Sequence, residues 1–148
     1  MRLSAQEEYG LRCLLFVARR SPGPDSVPTS IRDISEGEGL SVDYVAKLVR
    51  VLRQADLLVS SRGAAGGFAL ARSADQLSMQ QILSSLDGPL FDEAFCDAHA
   101  GVLSDCAHAG PSCTVRSLWT QLSAAFEAVL SKITLADLVA GRSLQVNP

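Results

Sequence analysis

Residues 30 to 72, SIRDISEGEGLSVDYVAKLVRVLRQADLLVSSRGAAGGFALAR, constrain this chain more than any other stretch. Ser30 followed by Asp33 is a helix-opening pair, and the short helix it starts must stop near Gly37 and Gly39. Ser41 caps a second helix in which Val45, Leu48, Val49, Leu52 and Ala55 recur at helical spacing. Its other face carries Asp43, Tyr44, Lys47, Arg50 and Arg53. Two short helices joined by a glycine turn, the second polar and basic opposite its core stripe, predict a helix-turn-helix. LLVSSRGAAGGFALAR then reads as strand, glycine-rich tip and strand, with Arg62 at the tip and Gly63, Gly66 and Gly67 permitting tight turns. That hairpin is a wing. Such a unit inserts the start of its second helix into the major groove of double-stranded DNA, while an arginine at the hairpin tip reaches the neighbouring minor groove or phosphates.

The glycines of the tip do not build a nucleotide site. No lysine followed by Ser or Thr comes after them, as a P-loop requires, and the run FALAR occupies the place of the helix that a dinucleotide fingerprint demands. Charge points the same way as the helix pattern. The net charge of -3 argues against a general polyanion binder. Its placement is uneven, however: residues 1 to 75 hold ten Lys/Arg against nine Asp/Glu, and residues 76 to 148 hold three against seven. Within 41 to 72 the balance is five basic residues to two acidic, the local footprint expected of a nucleic-acid face.

Outside that block the chain is punctuated clearly. Ser4 to Glu7 form a capping box ahead of an apolar helix reaching about Ala18, with Tyr9, Cys13, Phe16 and Val17 on one face. The linker SPGPDSVP cannot be helical. Beyond the wing, Ser78 to Gln81 open another helix that stops at Gly88 and Pro89. From about Val115 the residues Val115, Leu118, Trp119, Leu122, Phe126, Val129 and Ile133 keep close to a heptad, and a seam of that length needs a partner. Either it packs along the winged domain or it pairs with its copy in a homodimer, and the second suits a DNA reader that binds two half-sites. A short helix opened by Thr134 and Asp137 closes the chain near Gly141. The expected architecture is therefore mainly α with a small β wing: a winged helix-turn-helix domain over 1–77, a connecting helix and cysteine-rich loop over 78–114, and a dimerisation helix with a short terminal helix over 115–148. No apolar run approaches the roughly 20 residues of a membrane span, and the N-terminus lacks a basic segment followed by an apolar signal core, so a cytoplasmic location is expected.

The segment CDAHAGVLSDCAHAGPSC, residues 96 to 113, gathers three of the four cysteines and both histidines. In a reducing compartment clustered cysteines are read as metal, redox or catalytic residues before structural disulfides. Cys13, on the apolar face of the first helix, is expected in the core.

Taken together, MRLSAQEEYGLRCL, the central block from Ser30 to Arg72, LDGPL, the three cysteines and SLW...ITLADL resemble the IscR/NsrR-type winged-helix regulators, many of which hold an iron-sulfur cluster. The resemblance covers most of the chain, and its most specific part is the central block. It implies a homodimeric transcription regulator, not an enzyme. It implies that Ser41, Asp43 and Tyr44 sit where base edges are contacted, that Arg62 and Gly63 form the minor-groove wing, and that Cys96, Cys106 and Cys113 bind the cluster. It offers Glu8 as a fourth ligand, donated by the opposite subunit. The charge of Glu8 in a first helical turn is also favourable without any metal.

The chain departs from the family pattern in three places. The wing reads RGAAGGF where the family usually has RGPGGGY, which removes a stiffening proline and a tyrosine hydroxyl. Nine residues and then six separate the cysteines, a longer first loop than is common in the family. Members with a histidine fourth ligand place it three residues after the last cysteine, where this chain has Arg116. His108 and His99 remain alternatives to Glu8, as do Asp97 and Asp105.

Three thiolates suit a 2Fe-2S or a 4Fe-4S cluster, and they also suit zinc. Zinc in a Cys3His site is disfavoured by the spacing, because structural zinc uses tight Cys-x2-4-Cys pairs. A metal-free thiol-disulfide switch is disfavoured by the nearby acids, which raise thiol pKa. A regulator that has lost its metal and senses through partner proteins is a further alternative, and a redox enzyme or electron carrier would have no use for the recognition helix and wing. With this layout, the resemblance implies a DNA-binding regulator whose cluster reports redox state, nitric oxide or iron status.

Overall fold

The computed structural model describes residues 4–61, 66–89 and 113–142, together with positions 91, 102 and 108. Helix α1 spans Ala5–Arg20, two residues beyond the expected end, and Ser4 and Glu7 close a complete capping box at its start. It is the spine of the core: Cys13, Leu14 and Val17 are fully buried and Tyr9, Leu11, Leu15 and Phe16 pack at the edges. The polar linker after it turns back through Ser21, whose hydroxyl donates to the Val27 carbonyl and pairs with Thr29 Oγ1 at 2.8 Å.

Helix α2, Ile31–Glu38, opens with a second capping box, Ser30 with Asp33. It runs through Gly37 rather than stopping there, and the glycine is required at that point because a Cβ would overlap the Phe16 ring. The stop comes at Gly39, in the left-handed conformation with φ 66°, and Leu40 N–H donates to Ser35 O at 3.1 Å. Helix α3, Val42–Gln54, follows, with Val45, Leu48, Val49 and Leu52 buried as its periodicity predicts. Ala55 falls just outside it as the C-cap, because Asp56 takes a positive φ of 55° and ends the helical geometry.

Strands β1, Leu58–Ser61, and β2, Gly67–Leu70, form the antiparallel hairpin, with Leu58 opposite Leu70 and Ser61 opposite Gly67. Leu58 is buried while Val59 to Ser61 are exposed, so the hairpin leaves the core and projects. Its base is wider than the sequence indicated, because Thr29 and Phe68 exchange two backbone hydrogen bonds of 2.8 Å on the far edge of β2.

A 3-10 turn, Ala74–Gln76, leads to α4, Met79–Asp87, which Ser78 caps and which ends at Gly88. Helix α5, Thr114–Leu130, is the expected long helix, and α6, Leu135–Val139, opens with a capping box of Thr134 and Asp137. One member of the anticipated seam is misplaced: Ile133 lies past the end of α5, and its carbonyl accepts from Met79 N–H at 2.8 Å. Leu135 N–H returns a bond to Leu77 O at 2.8 Å, so the two helix starts, Ser78 and Thr134, form a β-bridge. Leu135 is thereby fully buried with Leu77 and Ile82, and the end of the chain closes the core that α1 began.

Candidate functional site

The first turn of α3 is where the fold presents chemistry outward. Ser41, as N-cap, accepts a 3.3 Å hydrogen bond from Tyr44 N–H, which orders the residues that would meet a base edge. Ser41, Asp43, Lys47 and Arg50 are exposed and Tyr44 is half-buried. Burial of the opposite face holds them out: with Val45, Leu48, Val49 and Leu52 at 0 to 1% exposure, α3 cannot roll. The sequence reading passed over Val42, which is 51% exposed in the same turn. Only its departure from the apolar periodicity of the helix could have singled it out. An exposed branched methyl pair there suits contact with a thymine methyl.

Tyr44 is seated by α1. Its ring meets that of Tyr9 edge to face, centroids 5.9 Å apart at 81°, and the Arg12 guanidinium lies 5.4 Å from the Tyr9 centroid. Arg12 also donates from Nε to Glu38 Oε2 at 2.8 Å, and this hydrogen bond, more than any other influence, holds the guanidinium pKa above its ordinary value. Arg62 and Gly63, assigned to the wing tip, lie outside the described residues; the paired strands on either side end at Ser61 and restart at Gly67.

The cysteine centre is described in part. Cys113 is half-buried and serves as N-cap of α5, its Sγ accepting from Arg116 N–H at 3.3 Å. Glu8 is exposed in the first turn of α1, and His108 is exposed. Cys96, Cys106, His99, Asp97 and Asp105 lie outside the described residues. Cys13 is the core residue the sequence predicted: burial, followed by the charge of Glu38, pushes its thiol up to about 11, so it stays protonated and inert at neutral pH.

Helix α5 has a different surface. Val115, Leu118, Trp119 and Leu122 are between 46 and 54% exposed on one face. Among the described residues, no helix is long and apolar enough to cross a membrane.

A recognition helix held over a core by a preceding helix and followed by a two-stranded hairpin defines a winged helix-turn-helix fold, and the proteins this chain is similar to are transcription regulators, not enzymes. The model of the Rrf2 family, described as an iron-dependent transcriptional regulator, matches residues 3–141. The chain belongs to the Rrf2 family. It is 33% identical over 144 residues to Protein rrf2 of Nitratidesulfovibrio vulgaris, covering 97% of this chain and 91% of that one. It is also 33% identical over 139 residues to the HTH-type transcriptional regulator IscR of Cronobacter sakazakii, covering 94% and 80%. Among solved structures, CymR, the global cysteine regulator of B. subtilis, is 31% identical with a TM-score of 0.70, over 97% of this chain and 99% of that one.

Proposed function

We propose that this Rrf2-family regulator binds operator DNA as a homodimer and that an iron-sulfur cluster on Cys96, Cys106, Cys113 and Glu8 controls the binding. The observation that carries the reading is the position of Cys113. It caps the helix whose exposed apolar face a second copy would cover, so whatever holds this sulfur also holds the start of the dimer seam. The donor chemistry fits: three thiolates match iron-sulfur ligation, and the hydrogen bond from Arg116 N–H to Sγ is of the kind that tunes a cluster. Glu8 is solvent-facing and therefore free to reach a centre in the partner. The description of the family as iron-dependent and the similarity to IscR, over a span that includes the cysteine segment, support the same reading. When bound, the cluster supplies a centre whose charge and integrity respond to oxidants, nitric oxide and iron supply.

The chain's own residues do the rest. Ser41, Asp43 and Tyr44 read base edges, Lys47 and Arg50 reach phosphates, and Arg62 with Gly63 enters the minor groove. Control requires that the two states of the cysteine centre differ in DNA affinity, which they do if Cys113 sets the start of α5 and so the spacing of the two recognition helices.

The test is anaerobic purification with an absorbance spectrum and assays for iron and acid-labile sulfide, on wild type and Glu8→Ala, followed by operator affinity of the loaded and stripped protein at one salt concentration. Iron and sulfide in a brown protein, a spectrum altered in Glu8→Ala and unequal affinities are expected. A colourless protein, with zinc or with no metal after reconstitution, turns the cysteines into a zinc or thiol site; equal affinities remove the control.

A further inference from the structure

Helix α1 lies outside the helix-turn-helix, yet its side chains grip both sides of the turn that aims α3. We propose that Arg12 and Tyr9 are positioning residues for sequence reading, a clamp from α1 that fixes Tyr44 and the first turn of α3 relative to the turn before it. The proposal rests on the DNA-reading role given to Ser41, Asp43 and Tyr44.

On the near side of the turn, Arg12 makes two bonds to one residue: Nε to Glu38 Oε2 at 2.8 Å, and Nη2 to the Glu38 main-chain oxygen at 3.0 Å. Glu38 is the last residue of α2, where carbonyls lack helical partners and a cation is favoured. On the far side, the same guanidinium lies over the Tyr9 ring, and that ring meets Tyr44 edge to face. One arginine is thus tied to the helix before the turn directly and to the helix after it through one aromatic ring.

Stability alone does not account for this arrangement. The underside of α3 is already fixed by fully buried apolar side chains, whereas the Arg12 side chain is 40% exposed and an ion pair so placed contributes little to folding. What the clamp does fix is where Tyr44 and its neighbours stand. Base-edge hydrogen bonds weaken steeply with distance and angle, whereas attraction of Lys47 and Arg50 to phosphates tolerates small shifts. Loss of the clamp is therefore a loss of discrimination before it is a loss of binding.

The experiment uses the full chain and a duplex enriched from a randomised pool by the wild-type protein, with a scrambled duplex of the same composition as reference. Affinities for both, at two salt concentrations, and thermal midpoints are measured for wild type, Arg12→Gln, Tyr9→Ala and Tyr9→Phe. Arg12→Gln and Tyr9→Ala are expected to bind the enriched duplex about tenfold more weakly, with scrambled-duplex affinity and salt slope unchanged. Tyr9→Phe keeps the ring contact and is expected to behave as wild type. Undiminished discrimination in both variants overturns the proposal, as does an equal loss on both duplexes accompanied by a lower midpoint, which is the signature of a purely structural role. Failure of the wild type to enrich any sequence removes the DNA-reading role itself, and the clamp with it.

Discussion

Helices α3 and α5 carry the same kind of apolar repeat and meet opposite fates. In α3 the repeating side chains are sealed against α1, α2 and β1. In α5 Val115, Leu118, Trp119 and Leu122 face solvent. Periodicity says that a face must be covered; it does not say by what. The winged unit covers its own faces, and α5 is left with one, roughly 10 Å from Val115 to Leu122 at 1.5 Å per residue, that the proposed second copy would cover.

The largest expected effect tests this contrast directly. Leu48→Ala in the α3 stripe should cost about 2 to 5 kcal/mol, the usual penalty for a truncated core leucine, read as a lower denaturation midpoint at every protein concentration. Leu122→Asp should leave the unfolding of the dilute winged unit almost untouched and instead lower the sedimenting mass at micromolar concentration. An unchanged mass would mean that the α5 face is not the dimer seam.

The difference between these helices also marks what could be read in the sequence. Every helix start named from a capping pair is observed, because Ser4, Ser30, Ser41, Ser78 and Thr134 act through bonds to residues three positions away. The wing was legible for the same reason, its two strands lying close together in sequence. Contacts between distant segments were not legible. Nothing local in ITL announces that Ile133 and Leu135 bond to Leu77 and Met79, and the heptad made Ile133 look like one more seam residue. In the site, exposure of Ser41, Asp43, Lys47 and Arg50 followed from the buried stripe opposite them. The grip of Arg12 on Glu38 and the contact of Tyr9 with Tyr44 did not follow, because each links residues far apart in sequence on separate helices, 26 positions in the first case.

The base of the wing supplies a second test, of intermediate size. A Cβ on Gly67 would stand 2.5 Å from the Thr29 carbonyl oxygen and 2.7 Å from its carbon, and backbone cannot swing aside as a side chain can. Gly67→Ala should therefore destabilise by about 1 to 3 kcal/mol, as overpacking does. It should also free the amides of Thr29 and Phe68 to exchange hydrogen faster, while those of α5 exchange as before. Unchanged protection at Thr29 and Phe68 would show that the linker is not part of the wing's support.

The smallest expected effect is on pH dependence. Asp33 is held below its ordinary value chiefly by the Ser30 hydroxyl, and Asp137 chiefly by the Thr134 backbone N–H. A carboxylate depressed in the native state binds fewer protons there than in the unfolded chain. Its contribution is complete above the ordinary carboxylate value of about 3.9 and is lost as the pH falls through the lowered one. Urea midpoints measured downward from pH 5 should decline below about pH 4, less steeply in Asp33→Asn and less steeply again when Asp137→Asn is added. Both caps lie outside α5, so the sedimenting mass at neutral pH should stay that of wild type. An acid decline of undiminished slope in the double variant would assign it to other carboxylates and leave these two caps as geometric features without a share in acid stability.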